Sequence, residues 1–180
     1  PTRRSSDLAH KALASTISDL AAKAAEPAYS VITLGLPPET PVDWVRALYI
    51  TLAQRGLDWG VECIGGDTVR SPLIWLSITA WGRQLTPPPM RLDQARPGET
   101  ILVTGTLGDA AAGLALFQQG QLPAPPPLDE LQDRFLRPTP RIAAMRAILR
   151  HATPSSMTDI SDGLARDLPK LCHASGVGAR

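Results

Sequence analysis

The sequence predicts a mixed α/β (α+β) protein built from two domains, and three observations carry that reading. Helix-like and strand-like segments alternate along the chain, apolar residues make up 43% of it, and clustered prolines divide it into two halves that each hold both kinds of segment. With 180 residues, the chain is long enough to bury a core without metal or disulfide staples. Proline accounts for 18 of the 180 residues, about twice the usual share. Thr86-Pro87-Pro88-Pro89 and Arg96-Pro97-Gly98 mark a stiff connector over 83–98. The expected domains are therefore 1–85 and 97–180.

In the first half, Leu13, Ile17, Leu20 and Ala24 share one helical face and Pro27 ends the run, so 7–25 reads as a helix. The β-rich stretch 29–36 lies between Pro27 and Pro37 and reads as a strand. Thr40-Pro41-Val42-Asp43 opens a helix with Thr as N-cap, Pro at N1 and an acid at N3. The apolar face of that helix is Val45, Leu48 and Leu52, and Gly56 is expected to stop it. Strands follow at 61–64 and 73–81, with Gly65-Gly66 between them.

In the second half, 100–104 reads as a buried strand, followed by the loop Gly105-Thr106-Leu107-Gly108-Asp109 and an Ala/Leu helix over 110–119. Leu122-Pro123-Ala124-Pro125-Pro126-Pro127 is a surface loop, with a ligand for a proline-binding module as the lesser alternative. Helices near 128–136 and 141–151, a candidate strand at 157–160 and a helix over 162–174 complete the pattern.

Composition narrows the function. Lys and Arg total 18 against 17 Asp and Glu, and a net charge of +1 supplies no footprint for nucleic acid or an anionic membrane. No apolar run approaches the roughly 18 residues a membrane span needs, and no leader segment is visible. Cys63 and Cys172 lie too far apart for a C-x-x-C motif, and a cytoplasmic setting is expected. A chain that opens on Pro1 and ends on Gly176-Val177-Gly178-Ala179-Arg180 is expected to be part of a longer protein.

Three acidic motifs are candidates for chemistry. In Gly65-Gly66-Asp67-Thr68 the glycines allow close backbone approach to a ligand, and Asp67 offers hard oxygens of the kind Mg²⁺ takes together with water and phosphate. A Gly-Gly hairpin turn with a solvated Asp fits equally well. In Asp159-Ile160-Ser161-Asp162-Gly163 two carboxylates three residues apart would repel if they converged, unless a cation lay between them. The alternative is helix capping by Asp159 or Ser161 with Asp162 on the helix dipole, and the two are compatible. Asp19, within Ser18-Asp19-Leu20, reads more simply as a surface ion pair with Lys23.

The glycine loop at 105–109 fits an anion site at a helix N-terminus or, slightly better, a tight strand-to-helix turn. It is neither a Walker A loop nor G-x-G-x-x-G. His10, His151 and His173 share no metal-binding spacing, and Ser155-Ser156 lacks a glycine elbow. Trp44, Trp59, Trp75 and Trp81 read as core or interface, and the two cysteines as buried small apolar residues.

Together, Ser18-Asp19-Leu20-Ala21-Ala22, Gly65-Gly66-Asp67-Thr68-Val69-Arg70-Ser71-Pro72, Arg91 with Arg96-Pro97-Gly98-Glu99, Thr104 through Leu114, and Asp159-Ile160-Ser161-Asp162-Gly163-Leu164 resemble thiamine-monophosphate kinases in order and approximate spacing. The resemblance implies a two-domain synthetase-like kinase fold, with an N-terminal sheet and helices plus a truncated C-terminal α/β domain. It implies ATP-dependent phosphorylation of thiamine monophosphate to thiamine diphosphate, and homodimers paired through the N-terminal sheets.

On this resemblance Asp19, Asp67, Asp159 and Asp162 are Mg²⁺ ligands, and Tyr49, Gly66, Asp67, Arg91 and Ser161 contact ATP. No general base is required, because the attacking phosphate oxygen is already ionised. Lys23-Ala24 departs from the Met-Gly common in the family, and the family's Gly-Asp-Asp segment and its C-terminal substrate-contacting residues have no counterpart here. The 180-residue chain alone is therefore expected to be nearly inactive. A sibling ATP-using enzyme with another substrate, or a non-catalytic chain, are the competing readings.

Overall fold

The structure, a computed structural model, describes residues 4–180. The order is α1 (Ser5–Ala22), β1 (Ala25–Leu36), α2 (Val42–Trp59), β2 (Glu62–Arg70), β3 (Trp75–Gln84), α3 (Asp109–Gln118), α4 (Asp129–Leu136), α5 (Ile142–His151) and α6 (Leu164–Ser175). The three strands form one sheet in the order β2-β1-β3, with β2 parallel and β3 antiparallel to the central β1. A parallel neighbour needs a crossover, and α2 supplies it.

Ser30, Ile32 and Leu34 alternate inward from β1 and are buried. Ile32 and Leu34 meet Leu13 and Ile17 of α1 and Leu48 and Leu52 of α2 in one apolar cluster. That cluster also takes in Ile142 and Met145 of α5, so the second half packs onto α1. Polar contacts reinforce the junction. Arg137 Nε donates to Asp7 Oδ1 at 2.9 Å, Lys11 Nζ to the Phe135 carbonyl at 2.9 Å, and Arg146 Nε to Glu26 Oε1 at 2.6 Å. Among the described residues none covers the opposite face of the sheet, and Tyr29 and Trp81, paired across β1 and β3, are each 48% exposed.

Several expectations are corrected. β1 begins at Ala25 and so contains Pro27; pairing with β2 starts only at Tyr29, and the missing N–H is tolerated where one side of the strand is open. Pro41, not Thr40, is the N-cap of α2, because the Thr40 hydroxyl donates to the Pro37 carbonyl at 2.8 Å. Gly56 does not stop α2. The helix runs to Trp59 and ends on Gly60, whose φ of 72° favours glycine. Gly56 instead makes room for the chain entering β2, since a Cβ there would stand 2.6 Å from the Val61 carbonyl oxygen.

The largest correction concerns Gly65-Gly66, which lie inside β2 rather than between strands. β2 and β3 are not neighbours, which removes the Gly-Gly hairpin. The register steps from Ser30↔Cys63 to Val31↔Gly65, leaving Ile64 as an extra residue in a bulge. No strand forms at 100–104 or 157–160. Ile101, Leu102 and Val103 are 49%, 81% and 37% exposed, and strand-like residues without a partner strand gain no ladder. Cys63 is exposed and Cys172 half-buried, so neither is the buried apolar residue expected.

Candidate functional site

The residues singled out in the sequence fall into three groups and one separate arginine. Tyr49, Gly66 and Asp67 line one open pocket of ≈ 470 Å³ with Ile32, Ile64 and Thr68. Tyr49 reaches it from α2 and, at 38% exposed, is free to meet a ligand there. Gly66 stands opposite Ile32, and a Cβ at Gly66 would collide with the Ile32 carbonyl oxygen. The next residue, Asp67, is exposed beside Thr33, and its Oδ1 accepts the Thr68 amide at 2.8 Å. The bulge at Ile64 thus fits a glycine against the central strand and delivers a carboxylate to the exposed edge.

The second group joins α1 to the acidic loop that precedes α6. Asp159 is half-buried and hydrogen-bonded by the Ser18 side chain, with Asp19 close enough to act on it. Burial raises the Asp159 carboxyl above its ordinary value, the Asp19 charge adds to the shift, and the Ser18 hydrogen bond offsets part of it. Asp19 itself faces solvent, and Lys23 lies past the end of α1, where its charge acts on Asp93.

Ser161 and Asp162 form the third group through a residue that the sequence reading missed. Asp167, 4% exposed in the first turn of α6, accepts the Ser161 and Asp162 amides on Oδ2, each at 2.9 Å. Its Oδ1 accepts Lys170 Nζ at 2.9 Å, and the same ammonium bonds Asp162 Oδ2 at 2.9 Å. Burial alone would push Asp167 up, but Lys170 and the two amides together hold it below the usual carboxylate range. The available signal was an acid one turn into a helix, positioned to reach back to the amides of the preceding loop.

Arg91 is gripped by Asp93, with Nε–Oδ1 at 2.8 Å and Nη2–Oδ2 at 2.5 Å. This pairing raises the guanidinium and lowers the Asp93 carboxyl. The Arg91 backbone bridges Ser156, whose hydroxyl lies 2.9 Å from the Arg91 and Leu92 carbonyls. That contact brings Arg91 alongside the segment leading to Asp159. The glycine loop is closed by its own side chains, since the Thr106 hydroxyl donates to Asp109, and Arg134 Nε lies 3.8 Å from that carboxylate. The loop is thus a tight turn into α3, without the strand expected before it.

Among the described residues, no three His, Cys, Asp or Glu side chains gather closely enough to hold a metal ion by themselves. Pairs of carboxylates do suit Mg²⁺, which takes one or two and completes its shell with water and phosphate. Asp159 beside Asp19 fits that test, because its charge is opposed by burial and by a like charge that a cation would relieve.

This sheet with its edge pocket and acidic loops defines a recognised class. The chain belongs to the AIR synthase related proteins, matching their N-terminal domain over residues 3–84 and their C-terminal domain over residues 96–180. Within that class it is similar to thiamine-monophosphate kinases, as the motifs had indicated. It is 43% identical over 179 residues to the one from Salmonella typhimurium and 42% identical over 179 residues to the one from Escherichia coli K12. Each match covers 97% of this chain and 53% of the relative, so the chain spans about half the length of these proteins. The structure of AaThiL complexed with AMPPCP and TMP superimposes with a TM-score of 0.90 at 32% identity, covering 97% of this chain and 55% of that one.

Proposed function

We propose that this chain is the nucleotide- and metal-binding part of an ATP-dependent kinase that converts thiamine monophosphate to thiamine diphosphate. The observation that carries the reading is the pocket in which Tyr49, Gly66 and Asp67 converge, on a fold shared with a relative bound to AMPPCP and TMP. Tyr49 offers a ring for a nucleotide, and Gly66 lets a phosphate approach the backbone. Asp67 in the pocket, Asp19 on α1, and Asp159 and Asp162 in the acidic loop are the carboxylates that would hold Mg²⁺. Bound Mg²⁺ supplies neutralisation of the two phosphate-bearing reactants and of the charge in transit.

The chain's own residues do the positioning, which is most of what an in-line phosphoryl transfer asks of a protein. Arg91, released from Asp93, would turn its guanidinium to the nucleotide, and Ser161 would hydrogen-bond it. No side chain needs to take a proton from the attacking phosphate oxygen. The uncovered sheet face with Tyr29, Trp75 and Trp81 supports pairing of two copies. The two free cysteines suit a cytoplasmic enzyme.

The test is Mg·ATP binding and thiamine monophosphate turnover by the full-length protein and its Asp67→Asn variant. Asp67→Asn is expected to weaken Mg·ATP by at least about tenfold, ~1.4 kcal/mol, with thermal stability unchanged because Asp67 is exposed. Equal nucleotide affinity in both proteins would refute the assignment of the pocket.

A further inference from the structure

We propose that Asp167 is a positioning residue, holding the Ser161–Asp162 backbone so that the Asp162 carboxylate is presented to a divalent cation and the Ser161 hydroxyl to a nucleotide. What is bound rests on the kinase reading; the arrangement itself does not. An aspartate is seldom this deeply buried unless its oxygens are fully bonded, and Asp167 at 4% exposure meets that condition with two amides and one ammonium. The Ser161 and Asp162 amides find their acceptor in this one side chain, in a loop that leads into Gly163 at φ 97°. Fixing two successive amides fixes the directions in which both side chains leave the chain.

Lys170 completes the device. Its ammonium joins Asp162 Oδ2 to Asp167 Oδ1 and neutralises a pair of carboxylates that would otherwise repel. Asp162 is therefore held in place by a monovalent side-chain cation, which a divalent ion would displace from it. Asp167 remains tied to the two amides throughout.

Three measurements on the full-length protein decide the matter: Mn²⁺ binding by electron paramagnetic resonance, hydrogen exchange of the Ser161 and Asp162 amides, and the Mg²⁺ dependence of turnover. Asp167→Ala is expected to weaken Mn²⁺ and to raise half-saturating Mg²⁺ by at least about tenfold, with kcat at saturating Mg²⁺ reduced far less. Both amides should lose protection. Asp167→Asn keeps an oxygen for the amides and should retain most of the Mn²⁺ affinity and the protection.

The control is Asp7→Ala, which removes another buried, ion-paired carboxylate, in the first turn of α1, and should lower Tm without changing Mn²⁺ binding or the two amides. Mn²⁺ affinity in Asp167→Ala within twofold of wild type would overturn the proposal, as would an Asp167→Asn protein as defective as the alanine variant, which would assign the effect to charge. Should Asp167→Ala fail to fold, Asp167→Glu displaces the oxygens by one methylene and is expected to weaken Mn²⁺ at least threefold; unchanged affinity there would also overturn it. A wild-type protein that binds Mn²⁺ but phosphorylates no thiamine monophosphate would sink the kinase reading and leave the Asp167 result standing.

Discussion

Asp159 is a residue whose environment works against its own charge. Burial and the neighbouring Asp19 raise its carboxyl, so the folded chain binds that proton more tightly than the unfolded chain does. This opposes folding only where the unfolded carboxyl has ionised. The penalty is absent below about pH 4 and grows as the pH climbs through the raised folded value. Asp159→Asn is therefore expected to raise Tm at neutral pH, with the gain vanishing in acid, as a series of thermal melts across pH would show. Added Mg²⁺ should stabilise wild type more than the variant. The acidic motif was legible in the sequence; the burial of Asp159 and the support from Asp167 were not, because both depend on where α1 and α6 settle.

Among the elements, β2 shows most clearly where sequence reading stops. Its nine residues are all exposed, so no inward–outward alternation announced a strand longer than 61–64. Two consecutive glycines fit a turn or a close backbone approach to a ligand equally well, and here they follow a bulge at Ile64, with Gly66 pressed against β1. The same argument predicts that Gly66→Ala forces a methyl group into the Ile32 carbonyl and shifts the strand, costing about 2 kcal/mol or more in urea unfolding. Stability equal to wild type would mean that β2 does not lie this close. Strong helical patterns such as Leu13, Ile17 and Leu20 were read correctly, to within a few residues at the ends. The apolar stretch 101–103 has strand composition but pairs with no strand among the described residues, which a one-dimensional pattern does not reveal.

For the molecule as a whole, the connector at 83–98 suggests two independent units, whereas the core runs through it. We propose that the division into 1–85 and 97–180 describes the domains, with α1 as the element on which both rest. Met145, 2% exposed on α5, belongs to the same cluster as Leu13 and Leu48. Met145→Ala should cost about 2–5 kcal/mol. All four tryptophans precede residue 98, so their fluorescence reports the first half alone. A single transition, shifted in that signal by a substitution in the second half, is expected; an unshifted one would show that the halves melt apart.

The contact between His10 and the Pro138 carbonyl joins positions 128 apart, and that span matters during synthesis. While the ribosome is still making the intervening stretch, one flank of α1 has its sheet and helix neighbours within reach and the other is bare. Until α4 and α5 emerge, Asp7, His10 and Lys11 wait for Arg137 and the Pro138 and Phe135 carbonyls, and the apolar cluster stands open where Ile142 and Met145 will complete it, a window in which chaperones would find their grip.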